Sequence, residues 1–167
     1  MNKLVRGLLL AAIAILPLSS AAMAATATTT FPVSATIVKN CSIAAAPLAF
    51  GNYDPVVVNA AAPLNATSTV TVACTKGVSA TVSLDLGLNH ANATGTSRAM
   101  STAGPAYLSY EIYQDAGHTT VWNLVNTVAY VSASKAPFAI TDYGQIPAGE
   151  DQPVGVYGDT ITATITF

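Results

Sequence analysis

The residues in this chain best able to do chemistry are two cysteines, two histidines and eight carboxylates. Nucleophilic catalysis needs a nucleophile with a base in reach, and a metal site needs several ligands brought together. His90 and His118 both sit in polar stretches rich in Gly, Asn and Thr, and read as surface-loop side chains rather than ligands or bases. No nucleophile elbow, zinc-helix motif, phosphate loop or dinucleotide fingerprint occurs. Asp85, in "DLGLNH", lacks the spacing of a calcium loop and reads as a turn cap. Glu150 and Asp151, in "PAGEDQP", read as a solvated loop rather than a working carboxylate pair. The expectation is a protein that is not an enzyme, with no cofactor and no metal.

Cys41 and Cys74 remain, and their chemistry depends on compartment. Met1 to Arg6 carries Lys3 and Arg6, Leu8 to Leu18 is apolar, and Ala22-Met23-Ala24 is a small-x-small site. Together these form a secretory signal peptide over residues 1–24. The apolar stretch is too short for a membrane span. In an exported chain two cysteines predict a disulfide, and closing its loop stabilises by about 3–4 kcal/mol on the chain-entropy model. A metal or redox pair is disfavoured, since no CxxC occurs. Asn65-Ala66-Thr67 and Asn92-Ala93-Thr94 fit the glycosylation sequon, but the leader looks bacterial and the matches read as chance.

Cleavage after Ala24 leaves 143 residues, one domain's worth, with four basic residues against eight acidic ones and a net charge of −4. No basic stripe is present, so nucleic acid is not an expected partner. Only 8% of the chain is charged, a composition suited to being covered by copies of itself.

The elements that would position these residues are short and extended. Val70, Val72 and Cys74 share one face of "STVTVAC", and Ala80, Val82, Leu84 and Leu86 one face of "SATVSLDLGL". "YLSYEIYQD" puts Leu108, Tyr110 and Ile112 inside, with Glu111 and Tyr113 outside. "TFPVSATIV", "LAFGNYDP" (continuing to Val58), "VAYVS" and "PFAITDYG" are further strand candidates. Asn89 to Ala103 reads as a loop. Trp122 and the seven tyrosines are expected to pack the interior, with a hydroxyl reaching a backbone group at the rim. Short alternating runs punctuated by Gly, Pro, Asn and Asp predict an all-β sandwich.

Both ends of the mature chain are patterned. Phe31, Val33, Ala35 and Ile37 form an apolar stripe after the coreless lead "ATATTT". Ile161, Ala163, Ile165 and Phe167 alternate with threonines through Thr160–Phe167, and no charge blunts that strand. An extended one-sided peptide and an unblunted sheet edge are the conditions for strand addition between chains.

Four motifs in order carry a resemblance: Phe50-Gly51-x-Tyr53-x-Pro55, Tyr110-x-x-Tyr113-x-Asp115, Tyr143-Gly144-x-Ile146-Pro147 and Gly155-x-Tyr157-x-Asp159-Thr160. With the paired cysteines and leader, the chain resembles the spore coat protein U domain family, which includes subunits of archaic (Csu-type) chaperone–usher pili. The resemblance implies an incomplete immunoglobulin-like β-sandwich over residues 39–167, preceded by a donor-strand extension over residues 25–38. It implies donor residues Phe31, Val33, Ala35 and Ile37, with the alternative that the segment before Cys41 is partly the domain's own first strand and the donor is centred nearer Thr26 to Val33. It also implies an acceptor groove and chaperone contact at Ile161, Ala163, Ile165 and Phe167. The implied partners are identical or related pilin subunits, a periplasmic chaperone and an outer-membrane usher. The implied product is an extracellular fibre for adhesion and biofilm formation. Two alternatives stand beside it: a fibre-tip adhesin, and a self-contained secreted coat protein that tucks its own N-terminal strand into the groove.

Overall fold

A computed structural model describes residues 23–167. The expected signal peptide, residues 1–24, lies outside the described residues except for Met23 and Ala24, which are exposed. The chain divides into two units, residues 1–35 and 36–167. In the first, residues 23–35 are exposed and carry no regular secondary structure.

The second unit holds eight strands. They are β1 (Cys41–Ala45), β2 (Leu64–Cys74), β3 (Ser79–Leu84), β4 (Arg98–Ser101), β5 (Tyr107–Tyr113), β6 (Val128–Val131), β7 (Phe138–Ile146) and β8 (Ala163–Thr166). A short 3₁₀ turn occupies His90–Asn92. The strands form a five-stranded sheet in the order β1-β2-β7-β5-β4 and a three-stranded sheet in the order β6-β3-β8. Every named pairing is antiparallel. The fold is an immunoglobulin-like β-sandwich.

Period-2 patterning explains the main strands. β2 buries Ser68, Val70, Val72 and Cys74 in alternation, and β3 buries Ala80, Val82 and Leu84. Trp122, fully buried, ties the two sheets together: its main-chain N–H donates to the Ile112 carbonyl at 2.8 Å and its indole N–H to the Val82 carbonyl at 2.9 Å. Cys41 and Cys74 are directly opposed in the β1–β2 register and are joined by a disulfide.

Four expectations are corrected. "TFPVSATIV" forms no strand, because alternation creates a strand only where a sheet offers hydrogen bonds and a surface to cover. Leu48–Pro55 and Val56–Val58 form no strand: Leu48 and Phe50 lie sideways on β7 at Gly144, Tyr53 bonds the loop after β7, and Val56–Val58 are exposed in a turn with no sheet to pair with. The Asn89–Ala103 "loop" contains β4, with Arg98 and Ala99 fully buried. Glu111 is buried as well, because the segment before β4 covers the outer face of β5: the Thr94 N–H bonds the Ser109 hydroxyl, and the Ser97 N–H bonds Glu111 Oε2 at 2.8 Å.

Arg98 and Glu111 make this burial tolerable together. Arg98 Nη1 bonds Glu111 Oε1, and the Ser97 hydroxyl bonds Glu111 Oε2. Arg98 Nη2 also donates to the carbonyls of Trp122 at 2.6 Å and Asp85 at 2.7 Å. A buried pair satisfied on all sides tolerates desolvation, whereas a lone buried charge does not. Arg98→Met should therefore lower unfolding free energy by about 3–5 kcal/mol, and Glu111→Leu likewise. The double variant should cost well under the sum, as read by urea denaturation of the three variants.

Candidate functional site

The two sheets part along one side. β1 and β8, edge strands of different sheets, approach each other there, and among the described residues β8 pairs with β3 alone. Between them opens a cavity of about 390 Å³. One wall is Ala45–Leu48 with Phe50, the other is Tyr157–Ile161 with Ala163, and Tyr110, Ile112 and Asp142 lie at the floor.

The first wall depends on a glycine in β7. A Cβ on Gly144 would sit 2.7 Å from Leu48 Cδ2 and 2.7 Å from Phe50 Cζ, so those side chains lie directly on the bare backbone. Phe50 then meets Tyr110 edge to face, with ring centroids 6.0 Å apart. The following turn is pinned by Tyr53, whose hydroxyl donates to the Pro147 carbonyl at 2.7 Å and accepts from the Glu150 N–H at 3.0 Å.

Carboxylates hold the second wall. Asp159 Oδ2 accepts from the Tyr110 hydroxyl at 2.8 Å, while Oδ1 accepts from the Leu88 N–H at 3.0 Å and the Asn89 amide at 3.2 Å. Burial, followed by the bond to Asp159, pushes the Tyr110 phenol well above its ordinary range. Gly87, at φ +79°, permits this approach: a Cβ there would lie 2.0 Å from Asp159 Oδ2. Gly158 exchanges two main-chain bonds of 2.9 Å with Ser101 of β4. Asp85 caps its own turn at the Gly87 N–H and also accepts from the Thr162 N–H at 2.9 Å. Burial raises the Asp85 carboxyl, but bonds from Thr162 and Gly87 and the Arg98 charge outweigh it and leave it below its usual range. The lead into β8 is therefore tied to β4 at Gly158 and to the end of β3 at Thr162.

Asp142 stands apart. It lies on the inward face of β7 between Ile140 and Gly144, opposite Ser68 in the register, and is 5% exposed. Its Oδ1 has no hydrogen-bond partner among the described residues. The Ser68 hydroxyl is engaged with the Ala46 carbonyl at 2.8 Å. Burial pushes the Asp142 carboxyl up to about 6, with the Ser68 and Asp142 main-chain N–H groups opposing the rise.

Comparison with known proteins identifies the chain's relatives. The spore coat protein U domain matches residues 27–164. The chain belongs to the spore coat protein U domain family. Protein U of Myxococcus xanthus is 37% identical over 159 residues, covering 89% of each chain. Among solved structures, the CsuC–CsuE chaperone–tip adhesion subunit pre-assembly complex from archaic chaperone-usher Csu pili of Acinetobacter baumannii contains a chain of the same fold. That match has a TM-score of 0.57 and 21% identity over 79% of this chain and 40% of that one.

The family motifs quoted from the sequence converge on the groove: Phe50, Tyr110, Gly144, Tyr157 and Asp159 line or support its walls. Of the terminal alternating residues, Ile161 and Ala163 line the groove, and Ile165 packs on the core opposite Val82. Phe167 is half-exposed beside Ala80 and Tyr130. The regular strand spans only Ala163–Thr166 rather than Thr160–Phe167, since the Asp85 and Gly158 bonds draw its lead elsewhere. Phe31, Val33, Ala35 and Ile37 are all exposed. His118, at φ +52°, is half-buried against Tyr113 and Tyr143 rather than free in a loop. Asp142 was not singled out in the sequence; its only signal was a charge at an apolar-phase position of "PFAITDYGQI". Among the described residues, no group of three or more His, Cys, Asp or Glu could hold a metal, and no helix is long and apolar enough to cross a membrane.

Gly144→Val should displace Leu48 and Phe50 and destabilise the fold by about 1–3 kcal/mol, seen as a lowered thermal midpoint. Asp142, with its folded-state value raised from 3.8 to about 6, binds protons more tightly folded than unfolded. Stability should therefore fall as pH rises from about 4 to 6 and stay lower above that range. Asp142→Asn should flatten this segment of a pH–stability curve and stabilise at pH 7 by about 1–2 kcal/mol.

Proposed function

We propose that this chain is a structural subunit of an extracellular fibre of the chaperone–usher type, polymerised by donor-strand exchange. The observation that carries the reading is the groove beside β8, a strand paired on one side only among the described residues and facing β1 across a cavity lined by both apolar and polar groups. Its bare edge can add a strand, and alternate side chains of that strand can fill the cavity. The exposed stripe Phe31, Val33, Ala35 and Ile37 has the matching period. The Csu complex, a chaperone bound to a subunit of this fold, supports a periplasmic chaperone as the first occupant.

In this reading residues 1–24 are removed as a signal peptide, 25–38 form the donor extension and 39–167 form the acceptor domain. Pro32 sits where its nitrogen faces no ladder acceptor. The partners are the chaperone, an outer-membrane usher and identical or related subunits. The fibre serves adhesion and biofilm formation at the cell surface, and no catalytic step is involved. Burying Phe31, Val33 and Ile37 contributes about 1.5–3 kcal/mol each, set against the cost of ordering the extension.

The test compares the mature chain with a form lacking residues 25–38, both made in an oxidising compartment. The full chain should form heat-stable polymers. The shortened chain should stay monomeric and melt lower, and a peptide spanning residues 25–38 should raise its midpoint. A full-length chain that is a stable monomer at every concentration would overturn the reading in favour of a self-contained coat protein.

A further inference from the structure

Alternation sets which face of a donor strand enters a groove, but it does not choose among registers two residues apart. Any such slip keeps Phe31, Val33, Ala35 and Ile37 pointing inward. An apolar groove of even width would accept several of them. This groove is not evenly apolar, because Asp142 lies in its floor, 5% exposed, with Oδ1 unpartnered among the described residues.

We propose that Asp142 is a polar subsite of the groove that accepts a hydrogen bond from the Thr29 hydroxyl of a second copy of this chain, and so selects one register. The inference rests on the strand-exchange reading. Within residues 25–38, the positions in phase with Phe31, Val33, Ala35 and Ile37 are Ala25, Ala27 and Thr29. Thr29 is the one in-phase side chain there that can donate a hydrogen bond. The incoming strand's main-chain N–H groups point along the sheet toward neighbouring strands, so a floor carboxylate must be met by a side chain. With Thr29 over Asp142, Phe31 falls about 7 Å further along the groove. A slip of two residues either way sets a phenylalanine or an alanine on the carboxylate and leaves a buried acceptor unpaired, which is costly. A single buried polar group fixes register in coiled coils by the same logic.

The experiment uses the full mature chain and measures how fast its polymers dissociate at a fixed elevated temperature. Thr29→Val should speed dissociation roughly ten- to hundredfold, the loss expected for a hydrogen bond to a charged group. Thr29→Ser, which keeps the hydroxyl, should stay within about twofold of the parent chain. In an Asp142→Leu background Thr29→Val should no longer speed dissociation, whereas in Asp142→Asn, which keeps an acceptor, it still should. If Asp142→Leu fails to fold, the Ser and Val substitutions at Thr29 decide alone: equal effects of the two overturn the proposal. Polymers that form normally but show independent effects of the Thr29 and Asp142 substitutions would overturn the subsite and leave strand exchange standing. A parent chain that forms no polymer would remove strand exchange, and the subsite with it.

Discussion

A β-strand paired, among the described residues, along one side only is the constraint around which this molecule is arranged. The main-chain groups on the free side of β8 must meet water or another strand, since a buried unpaired N–H or C=O is costly. β8 carries no charged residue, and its neighbour across the opening, β1, is equally free of charge. The sandwich is consequently well packed around Trp122 and open along one flank.

Polar pins keep that flank in shape. Asp159 joins the lead into β8 to Tyr110 and to the Leu88–Asn89 turn, and Asp85 joins the same lead to the end of β3. Tyr53 fastens the opposite side to the loop after β7. Beneath them, Arg98 and Glu111 bind β4 to β5 and reach the carbonyls of Asp85 and Trp122. These contacts link segments distant in sequence and hold the cavity walls apart by directional bonds rather than by filling the space between them. A preformed groove lowers the ordering cost of whatever binds in it.

Asp142 runs against this economy. A carboxyl whose pKa is raised by burial, with one oxygen unpartnered among the described residues, costs stability in the chain by itself. Such a cost is characteristic of positions shaped by what they bind rather than by folding alone.

The sequence by itself determined the fold class, the alternating core faces of β2 and β3, and the apolar stripes at both ends, because period-2 patterning is a local property of the chain. The family motifs were legible too, since each is a compact run of Gly, Tyr, Pro and Asp. What only the tertiary structure decided were the features made by residues far apart in the chain. Arg98 lay in a stretch that read as a loop and Glu111 on the outer face of its strand, until β4 was laid on β5. Gly144 was a motif glycine at the end of a strand candidate, and its role as the bare surface under Leu48 and Phe50 came only from the fold. Asp142 was one charge in an apolar run until the cavity above it was visible. The stripe at Phe31–Ile37 shows the same limit from the other side: its pattern is that of a strand, yet whether it becomes one depends on a sheet that local sequence does not supply.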